Sequence, residues 1–344
     1  MSYRNWISTL LLSVLLLVSA CQGNTERPQA VAITSAPTTV ALQATAVPTA
    51  GPPPATRTPI PTPTNTEPPT ATPTITLTPT LTETPTVTPT PELVDHYVLN
   101  RPVSRDAEQD YVDRTYPYGS TQGGRRAVHV GVEFVNPRGT PVLAAAAGTV
   151  YYAGDDLERE FGPQTWYYGR LVVIEHTMQS PEGLPVYSLY GHLDRVEVEE
   201  GQEVRAGDRV GIVGDTGVAD GPHLHFEVRV GDPDDFNATR NPDLWIYPWM
   251  GFGTLAGFVT QDGEPQLEVT VQIRALNSAA VRYATTYASD LVNSDYIWRE
   301  NFTYGDLPEG EYEVIVAEET GRVRFRQTVT IRAGETTFVD VPLE

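Results

Sequence analysis

The chain contains no lysine: all 23 of its cations are arginines, set against 44 acidic residues in 344. A biotin- or lipoyl-type carrier needs a lysine to modify, so that class is excluded. The net charge of −21 argues against nucleic acid as a partner, because neutralising phosphates needs a basic stripe. It argues equally against electrostatic docking on anionic lipid. A single cysteine, Cys21, rules out a disulfide within the chain. Histidine is scarce as well, with six residues in all, so the places where it does occur are informative.

The lone cysteine closes "MSYRNWISTLLLSVLLLVSAC", which has a basic start (Arg4), an apolar stretch centred on residues 10–18 and small residues just before Cys21. This is the pattern of a secretory signal, too short and wrongly flanked for an ordinary membrane span. Its ending, "VSAC", resembles the bacterial lipobox, in which the cysteine is diacylated and becomes the mature N-terminus. Residues 1–21 are therefore read as a lipoprotein signal peptide, with Cys21 as the lipidation site. The mature chain is then extracytoplasmic, in the cell envelope, and meets the membrane through its N-terminal lipid only. Residues 22–94 are a Pro/Thr-rich linker that holds sixteen of the 30 prolines. With almost no aromatic residues it can form no core and is read as disordered. At about 3.1 Å per residue it is a stalk of at most roughly 200 Å.

The rest reads as all-β. Residues 95–249 carry short β-branched or aromatic runs such as "GRLVVIEHT", "LPVYSLYGHL" and "HLHFEVRV", separated by Gly, Pro and Asp turns. After "NPDLWIYPWMGFG", residues 250–344 show a second alternating pattern, as in "EYEVIVAEE". Its strand spacing suggests a Greek-key, Ig-like sandwich, and "GDLPEGEYEVIV" resembles the carboxypeptidase regulatory-like and prealbumin-like folds. It has no cluster of His, Cys or paired acids with metal-ligand spacing, and is read as a structural or adhesive module.

Five of the six histidines lie between residues 129 and 225, in "HVGVEF", "VVIEHT", "SLYGHL" and "GPHLHFEV". In the last, a strand would project His223, His225 and Glu227 from one side and Leu224, Phe226 and Val228 from the other. Imidazole and carboxylate together suit zinc, and three protein ligands with an open fourth position make a catalytic rather than a structural site. In a flat strand His129 and Glu133 would stand about 13 Å apart, so one ion takes both only if the segment bends, which Gly131 permits. The alternative is a set of surface or satisfied core histidines. Glu227 is either a partner orienting an imidazole N–H or a solvated or salt-bridged strand residue. His176 is read as structural. Tyr190 should share a face with His192, either lining a groove or simply packing. His96 is assigned no role.

Taken in order, "HVGVEFVNPRGTPVLAAAAGTVYYAG", "YSLYGHL" and "VEEGQEVRAGDRVGIVGDTGVADGPHLHFEV" resemble the lysostaphin-type zinc endopeptidases, the β-lytic metallopeptidase family, over nearly all of residues 125–230. The resemblance implies a two-sheet β fold built from a duplicated hybrid motif, with Zn2+ in a groove on one sheet. It also implies hydrolysis of peptide bonds in bacterial peptidoglycan. Matched motif by motif, His129 and His225 fall on the family's zinc ligands. His192 and His223 fall on its non-ligand catalytic histidines, which orient the attacking water and stabilise the oxyanion. The family's third ligand is an aspartate, and here that position is Glu133, one methylene longer. The departure leaves open a second role, a non-catalytic adaptor that regulates other cell-wall hydrolases. Feeding expressing cells a palmitate analogue should label the wild-type chain and leave a Cys21→Ser variant dark. Equal labelling of the two would contradict lipidation at Cys21.

Overall fold

Alternating apolar and polar residues between Gly, Pro and Asp turns favour strands, because one side of each strand can be buried while the turns reverse the chain. The computed structural model describes residues 93–344. Cys21 and nearly all of the linker lie outside the described residues. The described chain is all-β, broken only by a short 3-10 helix at Pro242–Leu244.

The first nine strands are β1 (Val132–Phe134), β2 (Pro141–Leu143), β3 (Gly148–Asp155), β4 (Arg170–Gln179), β5 (Pro185–Val196), β6 (Glu203–Val204), β7 (Arg209–Val213), β8 (Leu224–Val230) and β9 (Thr239–Arg240). Six lie side by side in the order β1-β8-β5-β4-β3-β6, with β9 paired to β8 and β2 paired to β7. Strand β5 joins the two sets. Val186–Gly191 pair with β8, whereas Leu193, Arg195 and Val196 pair with β7. The switch falls at His192, whose φ of 61° is left-handed.

That break corrects one expectation. Val186 and Tyr190 face the main core, while Tyr187 and Leu189 face a smaller core on the opposite side. Strict alternation would send His192 after Tyr190, but the left-handed backbone turns it to the other face. Tyr190 therefore packs and does not line the groove. It is fully buried, and its hydroxyl accepts from the Ala145 N–H and the Ser188 hydroxyl at 2.8 Å each. His176 belongs to the same buried network, with Nε2 2.8 Å from Ser188 Oγ, and burial pushes its pKa down to about 4.

The remaining strands are β10 (Phe252–Gln261), β11 (Glu264–Pro265), β12 (Thr270–Ala275), β13 (Val281–Thr285), β14 (Phe302–Pro308), β15 (Gly310–Ala317), β16 (Val323–Ile331) and β17 (Thr336–Leu343). They form two four-stranded sheets, with Leu255, Ile273, Phe302, Val314 and Val339 in the core between them. The connection from β13 to β14 leaves that sandwich: its Tyr287 and Trp298 are buried in the main core of the first sheet. Buried Asp243 adds a polar tie, accepting from the Arg114 guanidinium at 2.5 and 3.0 Å and from Thr303 Oγ1 at 2.9 Å. Trp298→Ala should lower stability by about 3–5 kcal/mol, with calorimetry still showing one transition. Two separated transitions in the wild type would contradict the shared core.

Candidate metal centre

Pairing of β1 with β8 sets Glu133 opposite His225. His129 lies before β1, and the chain bends at Gly131, where a Cβ would stand 2.7 Å from both His225 Nε2 and the Phe226 carbonyl. The His225 ring fills the space that any larger residue at 131 would occupy. This bend removes the separation a flat strand would impose. One donor atom from each of His129, Glu133 and His225 lies within 4.8 Å of the others.

Each imidazole is fixed by the nitrogen that faces away from this cluster. His129 Nδ1 is 2.6 Å from the Tyr116 carbonyl, and the Tyr116 ring stacks on it at 4.1 Å and 7°. A carbonyl only accepts, so Nδ1 holds the proton and Nε2 keeps its lone pair. His225 Nε2 donates to Glu227 Oε1 at 3.0 Å, which leaves Nδ1 facing inwards. Glu227 is completely buried and paired at 2.7 Å with the equally buried Arg229, while the Tyr168 hydroxyl donates to it. Burial alone would raise the Glu227 pKa, but Arg229 and the bonds from His225 and Tyr168 outweigh it and hold the carboxyl below its usual range. Arg229 in turn donates to the Pro233 and Phe161 carbonyls at 2.8 and 2.9 Å.

His129 Nε2 and His225 Nδ1 face each other at 3.2 Å, and Glu133 Oε1 is 3.6 Å from His129 Nε2. Burial, and then the neighbouring His225, push the His129 pKa well below its ordinary value. Two ring nitrogens and a carboxylate converge on a gap that calls for one positive species, either a shared proton or a metal ion. Ligands about 2.0–2.2 Å from a tetrahedral zinc lie about 3.3–3.6 Å apart, close to the 3.2 and 3.6 Å that separate His129 from His225 and from Glu133. The residues fit such an ion, and the longer Glu133 reaches the cluster.

His192 and His223 stand beside this cluster, with ring centroids 4.8 Å apart. Their Nδ1 atoms donate to the Thr216 and Gly221 carbonyls at 2.8 Å each, leaving both Nε2 atoms free. Burial, with help from His225 and His223, lowers the His192 pKa well below normal. His223 Nε2 is 3.5 Å from Glu133 Oε1. All five side chains line one groove of about 750 Å³, whose walls include Tyr167 and Arg126. The structure thus brings together His129, Glu133, His192, His223 and His225, and sets His176 and His96 elsewhere. Glu227 combines the two alternatives, orienting an imidazole and sitting in a salt bridge, but it is not solvated. Sequence reasoning missed Arg229, which continuing the alternation two residues past Glu227 would have reached. It also missed Tyr116 and Tyr168, which arrive from loops with no local signal.

Residues 127–238 match the family model described as Peptidase family M23. Among curated relatives, the DD-carboxypeptidase/endopeptidase Mpg of Neisseria meningitidis is 39% identical over 31% of this chain and 21% of its own length. The uncharacterized lipoprotein YgeR of Escherichia coli is 34% identical over 39% of this chain and 44% of its own. The murein hydrolase activator NlpD of Escherichia coli is 33% identical over 33% and 24% respectively. The chain therefore spans less than half the length of each of these relatives. Glu227→Gln should cost about 3–5 kcal/mol of stability, since it strands the buried Arg229 charge. It should also weaken zinc binding roughly 10–100-fold, as followed by competition with a chromophoric chelator. Unchanged affinity would show that His225 needs no orienting partner.

Proposed function

We propose that the chain is a zinc-dependent endopeptidase that hydrolyses peptide bonds in bacterial peptidoglycan, held in the cell envelope by a lipid on Cys21. In this reading residues 95–249 are the catalytic domain and residues 250–344 a β-sandwich attached to it. The observation that carries the proposal is the convergence of three donors, His129, Glu133 and His225, at 4.8 Å or less in a groove flanked by two further histidines. The relatives named as an endopeptidase and as a lipoprotein support it.

His129, Glu133 and His225 would hold the ion, which when bound supplies Lewis acidity to a peptide carbonyl and acidifies water. The chain's own groups do the rest. His192 and His223, each with Nδ1–H committed to a backbone carbonyl, present neutral Nε2 atoms that accept a proton. Once protonated, either becomes a donor to the developing oxyanion and then to the departing amine. Fixed backbone acceptors keep the rings from rotating, so their geometry is set before substrate arrives.

A second reading, a non-catalytic regulator of other wall hydrolases, is favoured by the relative named as a murein hydrolase activator and by glutamate at the third ligand position. Incubating the purified chain with isolated peptidoglycan separates the two. Catalysis predicts new amine ends, their loss on chelation, recovery with zinc, and a fall of about 10²–10⁴ in kcat for His223→Ala with the metal retained. Far less than one zinc per chain, together with no released amines, would instead support the regulator. Activity that survives exhaustive chelation would reject the metal mechanism.

A further inference from the structure

The 118–121 turn stands between the C-terminal sandwich and the first proposed metal ligand. On one side it is bonded to the backbone of His129: the Gly119 N–H donates to the His129 carbonyl at 2.7 Å, and the His129 N–H donates to the Ser120 carbonyl at 3.0 Å. On the other side the C-terminal segment touches the turn at three residues. The Tyr118 hydroxyl donates between two carbonyls at 3.2 Å each, Asn293 in the C-terminal segment and Thr239 in β9. The Gly119 carbonyl accepts from the Ala288 N–H at 2.8 Å. Thr121 Oγ1 donates to Glu268 Oε1.

Gly119 is where the two sides meet most closely. Its φ is 76°, and a Cβ there would stand 2.4 Å from Cδ1 of the Tyr287 ring. Tyr287 is itself held in place, since its hydroxyl donates to the fully buried Glu300 at 2.6 Å and accepts from Asn241 Nδ2 at 3.0 Å. The ring cannot move aside without breaking those bonds in a closed interior.

We infer that the C-terminal sandwich is a structural part of the metal centre, with its 287–293 segment positioning His129 through the 118–121 turn. The segment touches no donor atom; these are positioning residues that set where the His129 backbone, and hence its Nε2, lies. The inference rests on the proposed metal site and adds a role for the module that follows it. A ligand displaced by a few tenths of an ångström binds an ion in a fixed tetrahedral set less well, so the coupling should register in metal affinity.

The test is Zn2+ affinity of the full chain, measured by chelator competition, alongside the visible spectrum of its Co2+ form. Gly119→Ala should weaken Zn2+ binding about tenfold or more and change the Co2+ bands. Gly123→Ala and Gly124→Ala control for backbone strain, because both glycines have positive φ in the turn that follows but nothing within 4 Å of a Cβ. They should stay within about twofold of wild type. Should Gly119→Ala fail to fold, Tyr118→Phe keeps the ring and removes the hydroxyl's contacts with Asn293 and with Thr239. It should weaken binding about threefold with altered Co2+ bands, whereas Thr239→Val, which removes only the hydroxyl on the Thr239 side, should stay within about twofold of wild type. Wild-type Co2+ spectra and affinity in Gly119→Ala, or in Tyr118→Phe where it is the variant measured, would overturn the inference and leave the metal site standing. A wild-type chain that binds neither ion would overturn both.

Discussion

Two imidazole nitrogens held 3.2 Å apart with their lone pairs turned towards each other are repulsive unless something positive lies between them. The nearby carboxylate of Glu133 sharpens that demand. Every contact around the pair acts to keep it so. Tyr116 fixes His129 by a hydrogen bond and a stacked ring, Glu227 fixes His225, and Gly131 leaves room for the His225 ring. A proton satisfies the gap only in part, whereas a divalent ion can satisfy all three donors at once. A fold that merely needed to be stable would not arrange its histidines this way, because side chains free to rotate would turn their N–H groups towards each other's acceptors.

The support beneath this pair is expensive. Glu227 and Arg229 are both fully buried, and removing two such charges from water costs several kcal/mol per ion before their attraction offsets it. Well-packed apolar residues would serve stability as well or better. What the pair provides is a fixed, ionised acceptor behind His225, itself locked by Tyr168 and by carbonyls from two separate loops. The charge pair is thus better explained by orientation of the site than by holding the sheet together.

How much was legible in the sequence depends on how local each cause is. The division of His223, His225 and Glu227 from Leu224, Phe226 and Val228 follows from strand alternation and needs nothing else. The bend that brings His129 to Glu133 was permitted by Gly131, although alternation alone cannot say that the strand starts only at Val132. The opposite facing of Tyr190 and His192 was not legible, because a left-handed residue that is not glycine carries no mark in the sequence. Nor was the fate of Tyr287 and Trp298. Apolar residues between strands announce burial but not which core receives them, and these two enter the core of the earlier sheet. Tyr116 and Tyr168 reach the site from loops, where spacing holds no information about distance in space.

Glutamate in place of aspartate was the main doubt raised by the motifs, and in the structure the longer side chain places an oxygen 3.6 Å from His129 Nε2. The most direct measurement is X-ray absorption at the zinc edge on the purified chain loaded with one equivalent of zinc. The account predicts one retained ion per chain with two imidazoles and a carboxylate in its shell. An ion that washes away, or one whose shell contains no imidazole, would contradict it.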